Sequence, residues 1–213
     1  MPAATTTLPA RSDAARNRER LVSGARELFA SAGVDVPART VAGHAGLGVG
    51  TLYRHFPARE DLVDAVLEEA FEELIALAEC ALAEPDPWRG FTRFVEEALD
   101  LHARNRGLKD VVATQRHGRE RVEALRRRIR PLVARLVTRA QEGGSLRADF
   151  APQDVSLLFW ASDRAIELAA DVAPEIWRRQ LGFLLDGLRS DAATPLPRAP
   201  LTDAQLRRVG RSA

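Results

Sequence analysis

The chain is short of most things that would assign it a chemistry. It has one cysteine, Cys80, so an internal disulfide is excluded, and a lone thiol at helical spacing fits a reducing compartment and a packing role. No stretch approaches the ~20 consecutive apolar residues of a membrane helix. The Thr/Ala/Pro-rich opening from Met1 to Arg11 has no apolar segment of the secretory kind, so a cytoplasmic protein with no membrane partner is expected. There is no Gly-x-Ser-x-Gly elbow and no Walker loop. Four scattered histidines and one cysteine do not make a zinc site. No enzyme activity, metal or cofactor is expected.

Net charge is also scarce, at +1 over 213 residues. Its distribution is more telling. Residues 1–60 hold eight Arg against five Asp/Glu, residues 61–110 hold five Lys/Arg against thirteen acids, and the remainder holds eighteen Arg against twelve acids. A small basic head ahead of an acidic stretch suggests divided duties, because attraction to phosphate is local and screened beyond ~10 Å. The plainer reading is chance clustering on solvated helices.

What is present is helical pattern. With 46% apolar residues the chain can bury a real core. Apolar residues recur every three or four positions, and no alternating strand is convincing. The expectation is an all-α chain of about nine helices. Ser12 or Asp13 caps a first helix with Leu21, Ala25, Leu28 and Phe29 on one face, ended by Gly33. Short helices follow at Ala38 to Ala45, with Pro37 at the first turn, and at Val49 to Phe56, closed by Pro57. A long helix runs from Arg59 to Ala83. Asp86-Pro87 opens the next, Gly107 to Arg116 makes a short one, and Arg119 to Glu142 is interrupted at Pro131, where a kink or break is expected. Pro152 to Val172 and Pro174 to Arg189 are the last two. The tail from Asp191, with Pro195, Pro197 and Pro200, is expected to be extended or disordered. The division is a 1–12 arm, a 13–58 helix-turn-helix head, a 59–190 ligand-binding and dimerisation domain, and a 191–213 tail.

The segment from Thr40 to Pro57 is where pattern becomes specific. Two short helices joined by Gly46-Leu47-Gly48 cannot fold alone, but Val41, Ala42, Ala45, Leu47, Leu52 and Phe56 can pack on Leu21, Leu28 and Phe29. That leaves Val49, Gly50, Thr51, Tyr53, Arg54 and His55 outside, with Arg39 and Thr40 on the helix before. Such a face is small enough for a major groove and is flanked by donors for phosphate. Each residue has a plainer role too: Tyr53 as a half-buried aromatic, His55 as a cation at a helix C-terminus, Arg54 as a solvated charge, His44 as simply exposed. The Gly46-x-Gly48-x-Gly50 run has the outline of a dinucleotide loop, but no strand precedes it.

In combination, Leu28-Phe29-Ala30 with Gly33, Val41-Ala42, Ala45-Gly46, Gly50-Thr51-Leu52-Tyr53-Arg54-His55-Phe56-Pro57, Arg59-Glu60 and Leu62 resemble the TetR (tetracycline-repressor) family of bacterial regulators. Further on, Pro131-Leu132-Val133, the Gly144 to Asp149 stretch and Phe159-Trp160 resemble its SbtR-like C-terminal subgroup, more loosely. The resemblance implies that Val49, Gly50 and Thr51 face base edges, that Tyr53 and His55 touch phosphates, that Arg59 grips the backbone, and that Arg39 reaches a phosphate or a guanine. Pro37 and Ala38 stand where Ser or Thr commonly caps the second helix, and Ala58 replaces the usual small hydroxyl cap of the fourth. With Gly48, Val49 and Gly50 on the reading face, specificity is expected to lean on Arg39, thymine methyls and DNA shape.

The larger half is expected to sense a small-molecule effector, with Phe94, His102, Gln115, Trp160 and Asp163 as candidate contacts; a core role is the plainer reading of each. The last two helices carry more apolar surface than one core-facing stripe needs. They are expected to pair with their mates in a homodimer, which makes the double-stranded DNA operator near-palindromic. The reading is a ligand-responsive repressor. The alternative is a helical DNA-binding activator or nucleoid-type protein without a ligand.

Overall fold

The computed structural model describes residues 11–104, 119–191 and 193–209. These form α1 (Arg11–Ala32), α2 (Ala38–His44), α3 (Val49–His55), α4 (Arg59–Ala83), α5 (Pro87–Arg104), α6 (Arg119–Glu142), α7 (Asp154–Ala169), α8 (Ile176–Gly187) and α9 (Asp203–Val209). The one extended pairing among the described residues is an isolated antiparallel bridge, Leu146 to Arg189. The all-α expectation therefore holds. The expected helix from Gly107 to Arg116 lies outside the described residues.

Helix starts follow the local chemistry. Asp86 Oδ1 accepts the N–H groups of Trp88 (2.9 Å) and Arg89 (3.2 Å), satisfying two orphan donors of α5. At α4, which Ala58 cannot cap, Asp61 Oδ2 reaches back to the Ala58 N–H at 2.9 Å instead. Glu60 and Asp61 also set negative charge at that helix's positive end.

Two hydrophobic cores result. The head core is built by α1, α2, α3 and the first turns of α4, with Leu21, Phe29, Val41, Leu52, Phe56, Leu62, Val63, Val66 and Leu67 among its members. The second core, in the body, takes Ile75, Ala78 and Ala81 from the far part of α4 and adds α5 to α8. One 25-residue helix, about 37 Å long at ~1.5 Å per residue, thus belongs to both. Polar ties hold α6 along it: Arg128 makes a two-pronged pair with Glu72, its Nη2–Oε2 arm at 2.8 Å. Arg139 donates to the carbonyls of Leu82 (2.6 Å) and Glu84 (2.9 Å) at the end of α4.

Two expectations need correcting. Of the kink or break expected at Pro131, the break does not occur, since α6 is one helix from Arg119 to Glu142. Pro131 is exposed, while Leu125 and Ile129 before it and Leu136, Val137 and Ala140 after it are buried in the body core. Packing on both sides outweighs the lost hydrogen bond. The tail has no helix or strand over 193–202, as an extended segment would, but it is tied down. Arg147, almost wholly buried, meets Asp149 through Nε–Oδ1 (2.5 Å) and Nη2–Oδ2 (3.0 Å), and donates to the carbonyls of Gly187 (3.2 Å) and Thr194. The Leu196 N–H bonds Asp149 Oδ2 at 3.3 Å, Gln153 bonds Asp203 at 2.8 Å, and residues 203–209 are helical. Gln141 Nε2 bonds the carbonyls of Arg147 (3.0 Å) and Phe150 (2.8 Å), bracing the same turn from α6. Composition pointed to a loose tail because contacts made across ~45 residues leave no local trace.

The Arg147 guanidinium holds the Asp149 carboxyl down from its ordinary 3.8 to about 2. A depressed folded-state value stabilises the fold above the unfolded-state value, and that stability is lost as pH falls from about 3.8 toward 2. Asp149→Asn is expected to remove this component of the acid-unfolding curve, followed by circular dichroism across pH 5 to 2. Superimposable pH dependences for variant and wild type would show that the latch carries no such linkage.

Candidate nucleic-acid interface

α2 and α3 are each seven residues, too short to stand alone, so their position is set by what they bury. Val41, Ala42 and Ala45 from one side and Leu52 and Phe56 from the other pack with α1's Leu21, Val22, Ala25 and Phe29. The corner between them closes in two bonds: Leu47 N–H to the Ala42 carbonyl (2.8 Å) and Gly46 N–H to the Gly43 carbonyl (3.0 Å), with Gly46 at φ +65°. This is the glycine-terminated helix end, which needs a left-handed residue that a side chain disfavours. Arg20 on α1 completes the corner, its Nη2 donating to the carbonyls of Ala45 (2.7 Å) and Gly46 (3.4 Å). His44 is not simply exposed: its Nε2 lies 2.7 Å from Glu27 Oε2 on α1.

The residues expected on the reading face differ in exposure. Arg39 and Thr40 are exposed on α2, and Gly50 and Arg54 are exposed on α3. Val49 and Tyr53, one turn apart, are 38% and 52% exposed. Thr51 and His55 are half-buried, His55 lying against Phe56 with ring centroids 6.4 Å apart. Neither α2 nor α3 has a side-chain cap, as Pro37 and Gly48 dictate. Pro37 precedes α2 rather than occupying its first turn.

Arg59 is engaged within the chain. Its Nη2 donates to the Val34 carbonyl and lies 3.3 Å from Asp35 Oδ1, so it braces the α1–α2 connection. Arg20 is what sequence reasoning missed. An arginine on the outer side of a long helix looks solvated, and only the docked corner gives it two carbonyls.

In the body, the expected effector contacts separate. Phe94 is fully buried in the core, and Trp160 is half-buried. His102 and Asp163 do come together: His102 Nδ1 is 3.5 Å from Asp163 Oδ1, and the imidazole stacks on Phe159 at 5.1 Å and 24°. Gln115 lies outside the described residues. Ser162 Oγ and Trp177 Nε1, which the sequence did not single out, are wholly buried with no hydrogen-bond partner among the described residues. No signal in a helical stripe distinguishes them from ordinary core positions.

Known proteins share this arrangement. Residues 21–66 match the family model described as bacterial regulatory proteins, tetR family, and residues 86–190 match the model for the SbtR-like C-terminal domain of transcriptional regulators. A TetR transcription regulatory protein from Mycobacterium vanbaalenii is 30% identical, with 85% of this chain and 99% of that one covered and a TM-score of 0.66. The chain belongs to the TetR family of transcriptional regulators. A second solved relative, a TetR transcriptional regulator from Streptomyces coelicolor, is 26% identical, with 81% and 98% covered and a TM-score of 0.59. An HTH-type transcriptional regulator of Staphylococcus aureus (strain USA300) is 38% identical over 66 residues, which is 30% of this chain and 36% of that protein. The chain thus spans about a third of the length of the curated relatives it matches. The head of this TetR-family protein is a helix-turn-helix DNA-binding unit, and the family is one of regulators, not enzymes.

Gly46→Ala forces an alanine into left-handed backbone and brings its Cβ to 2.8 Å from Arg20 Nη2. The expected loss is about 1–2 kcal/mol of stability, measured as a lower midpoint of urea unfolding. An unchanged midpoint would mean that the corner does not need glycine.

Proposed function

We propose that this chain is a ligand-responsive transcriptional repressor that holds a near-palindromic operator as a homodimer and releases it when a small, largely apolar effector enters the body. The observation that carries the DNA half is the outward face of α2 and α3, where Arg39, Thr40, Val49, Gly50, Thr51, Tyr53, Arg54 and His55 stand on a buried corner braced by α1. In this reading Val49, Gly50 and Thr51 meet base edges, Tyr53 and His55 meet phosphates, and Arg39 reaches a phosphate or a guanine. Arg59, whose Nη2 is held by Val34 and Asp35, joins the backbone contacts through its remaining donors or by leaving those partners. Residues 13–58 are the reading head and residues 59–190 the sensing and pairing domain, with α4 passing from one to the other.

The dimer half rests on α7 and α8 and the turn between them. Their inner sides hold Leu158, Ile166, Trp177, Leu181 and Leu185 in the body core. Leu157, Leu168 (69% exposed), Val172, Ile176 and Phe183 (63% exposed) remain in solvent. A second copy laying the same two helices against these would bury them in a four-helix bundle about a twofold axis. Two heads related by that axis then read two half-sites.

The effector half rests on the polar groups that meet where α5, α7 and α8 pack together. His102, facing Asp163 and stacked on Phe159, is the polar end of the proposed seat, with Phe94 and Trp160 as its apolar walls. Gln115 belongs to it on sequence grounds alone. The orphaned Ser162 Oγ and Trp177 Nε1 support the placement, because a buried polar atom without a partner costs about 1–3 kcal/mol and calls for a bound group or water. Release requires only that the effector favour one tilt of α4 over another, a coupling of ~1–3 kcal/mol.

Two charges placed on the exposed apolar face separate these halves. Leu168→Glu with Phe183→Glu is expected to turn a sedimenting dimer into a monomer with its melting temperature little changed. It is also expected to lower affinity at least tenfold for duplexes selected from a random pool by the wild-type chain. Monomeric wild type would remove the dimer. Binding that tracks salt alone, with no enriched sequence, would favour the nucleoid-type alternative.

A further inference from the structure

The first turn of α3 is the least ordinary surface of the head. Val49 and Tyr53 are the large apolar side chains exposed there among the described residues. An isolated exposed valine is unremarkable by itself, but Val49 stands between two glycines that the protein's own structure does not require. Gly48 has φ −77° and ψ 146°, extended backbone open to any residue. Gly50 lies inside the helix, where glycine is weaker than alanine. A Cβ built on either meets nothing within 4 Å. Gly46, two residues earlier, is the contrast: its φ is positive and its Cβ would strike Arg20.

Among the described residues nothing packs where a side chain at Gly48 or Gly50 would stand, so neither glycine is required by the packing of the head. No side chain from Gly48 to Gly50 can hydrogen-bond a base edge. What this turn presents to a major groove is one branched apolar tip with both neighbours pared away. In that groove the apolar group that distinguishes one base pair from another is the 5-methyl of thymine.

We propose that Val49 packs against the 5-methyl group of a thymine in each half of the operator, and that Gly48 and Gly50 are bare so that the main chain comes close enough for that contact. The inference rests on the DNA-binding reading of α3 and adds the chemical group that it reads. Thr51, half-buried and two residues on, is a weaker candidate for the same methyl because less of it is in solvent.

The test starts from duplexes selected out of a randomised pool by the wild-type chain. Each thymine is replaced by uracil in turn, which removes a methyl group and leaves every hydrogen-bonding group in place. For the wild type, one thymine per half-site is expected to be sensitive, with affinity falling about three- to fivefold, the worth of one buried methyl. For Val49→Ala the same replacement is expected to change affinity by less than twofold. Gly50→Ala is expected to melt at the same or a higher temperature yet bind the thymine duplex at least fivefold more weakly, a split that a merely structural glycine would not produce. A selected operator indifferent to uracil at every position, or one equally sensitive in Val49→Ala, would overturn the inference while leaving the regulator reading intact. Failure of the wild type to enrich any sequence would overturn both.

Discussion

The molecule depends on one helix belonging to two cores. Leu62, Val63, Val66 and Leu67 of α4 are buried with α1 to α3, and Ile75, Ala78 and Ala81 of the same helix are buried with α5 to α8. Leu67 and Ile75 are eight residues apart, about 12 Å of helix, over which the half-buried Ala70 and Phe71 still pack on the head core and Leu74 on the body core. Ion pairs reinforce that crossing: Arg26 of α1 meets Glu73 at 2.5 Å, and Arg128 of α6 meets Glu72. A helix gripped at both ends moves as a rod. In the proposed response to an effector, a change in how the body packs around α4 is a change in where the head points.

The head turns a small number of buried residues into a precise outward surface. Its short helices contribute little stability of their own, and the angle between them comes from Gly46, the Arg20 guanidinium and a shared apolar floor. Because those devices all lie on the inner side, the outer side of α3 carries no packing duty beyond Leu52 and the half-buried Thr51 and His55. Val49, Tyr53 and Arg54 are free to be chosen for what they meet. The same economy appears in the body, where Gly144 (φ +70°) and the Arg147–Asp149 pair fold the α6–α7 connection onto the end of α8.

Periodicity and punctuation made the fold class and most helix boundaries legible. Arg59 to Ala83 and Val49 onward could be placed because Pro57 and the turn glycines interrupt apolar spacing at unambiguous points. Which side of α3 is exposed was legible for a related reason: once one side of a seven-residue helix is assigned to the core, the other is known. The continuity of α6 through Pro131 was not legible, since a local rule says break and only burial on both sides says otherwise. Nor was the docking of the tail, held by Arg147, Asp149 and Gln153 from more than forty residues away.

By itself the sequence determined which residues could face a groove, because helical period and turn chemistry are local and each residue reports on neighbours three or four positions away. It also determined that α7 and α8 carry more apolar surface than their own core takes. Only tertiary structure decided what the polar residues do: that Arg20 braces the corner, that Arg59 turns back to Val34 and Asp35, that His44 meets Glu27, that His102 faces Asp163. A charged side chain on a helix looks the same from the sequence whether water or a carbonyl is its partner. The choice between them is made when distant segments are packed into reach.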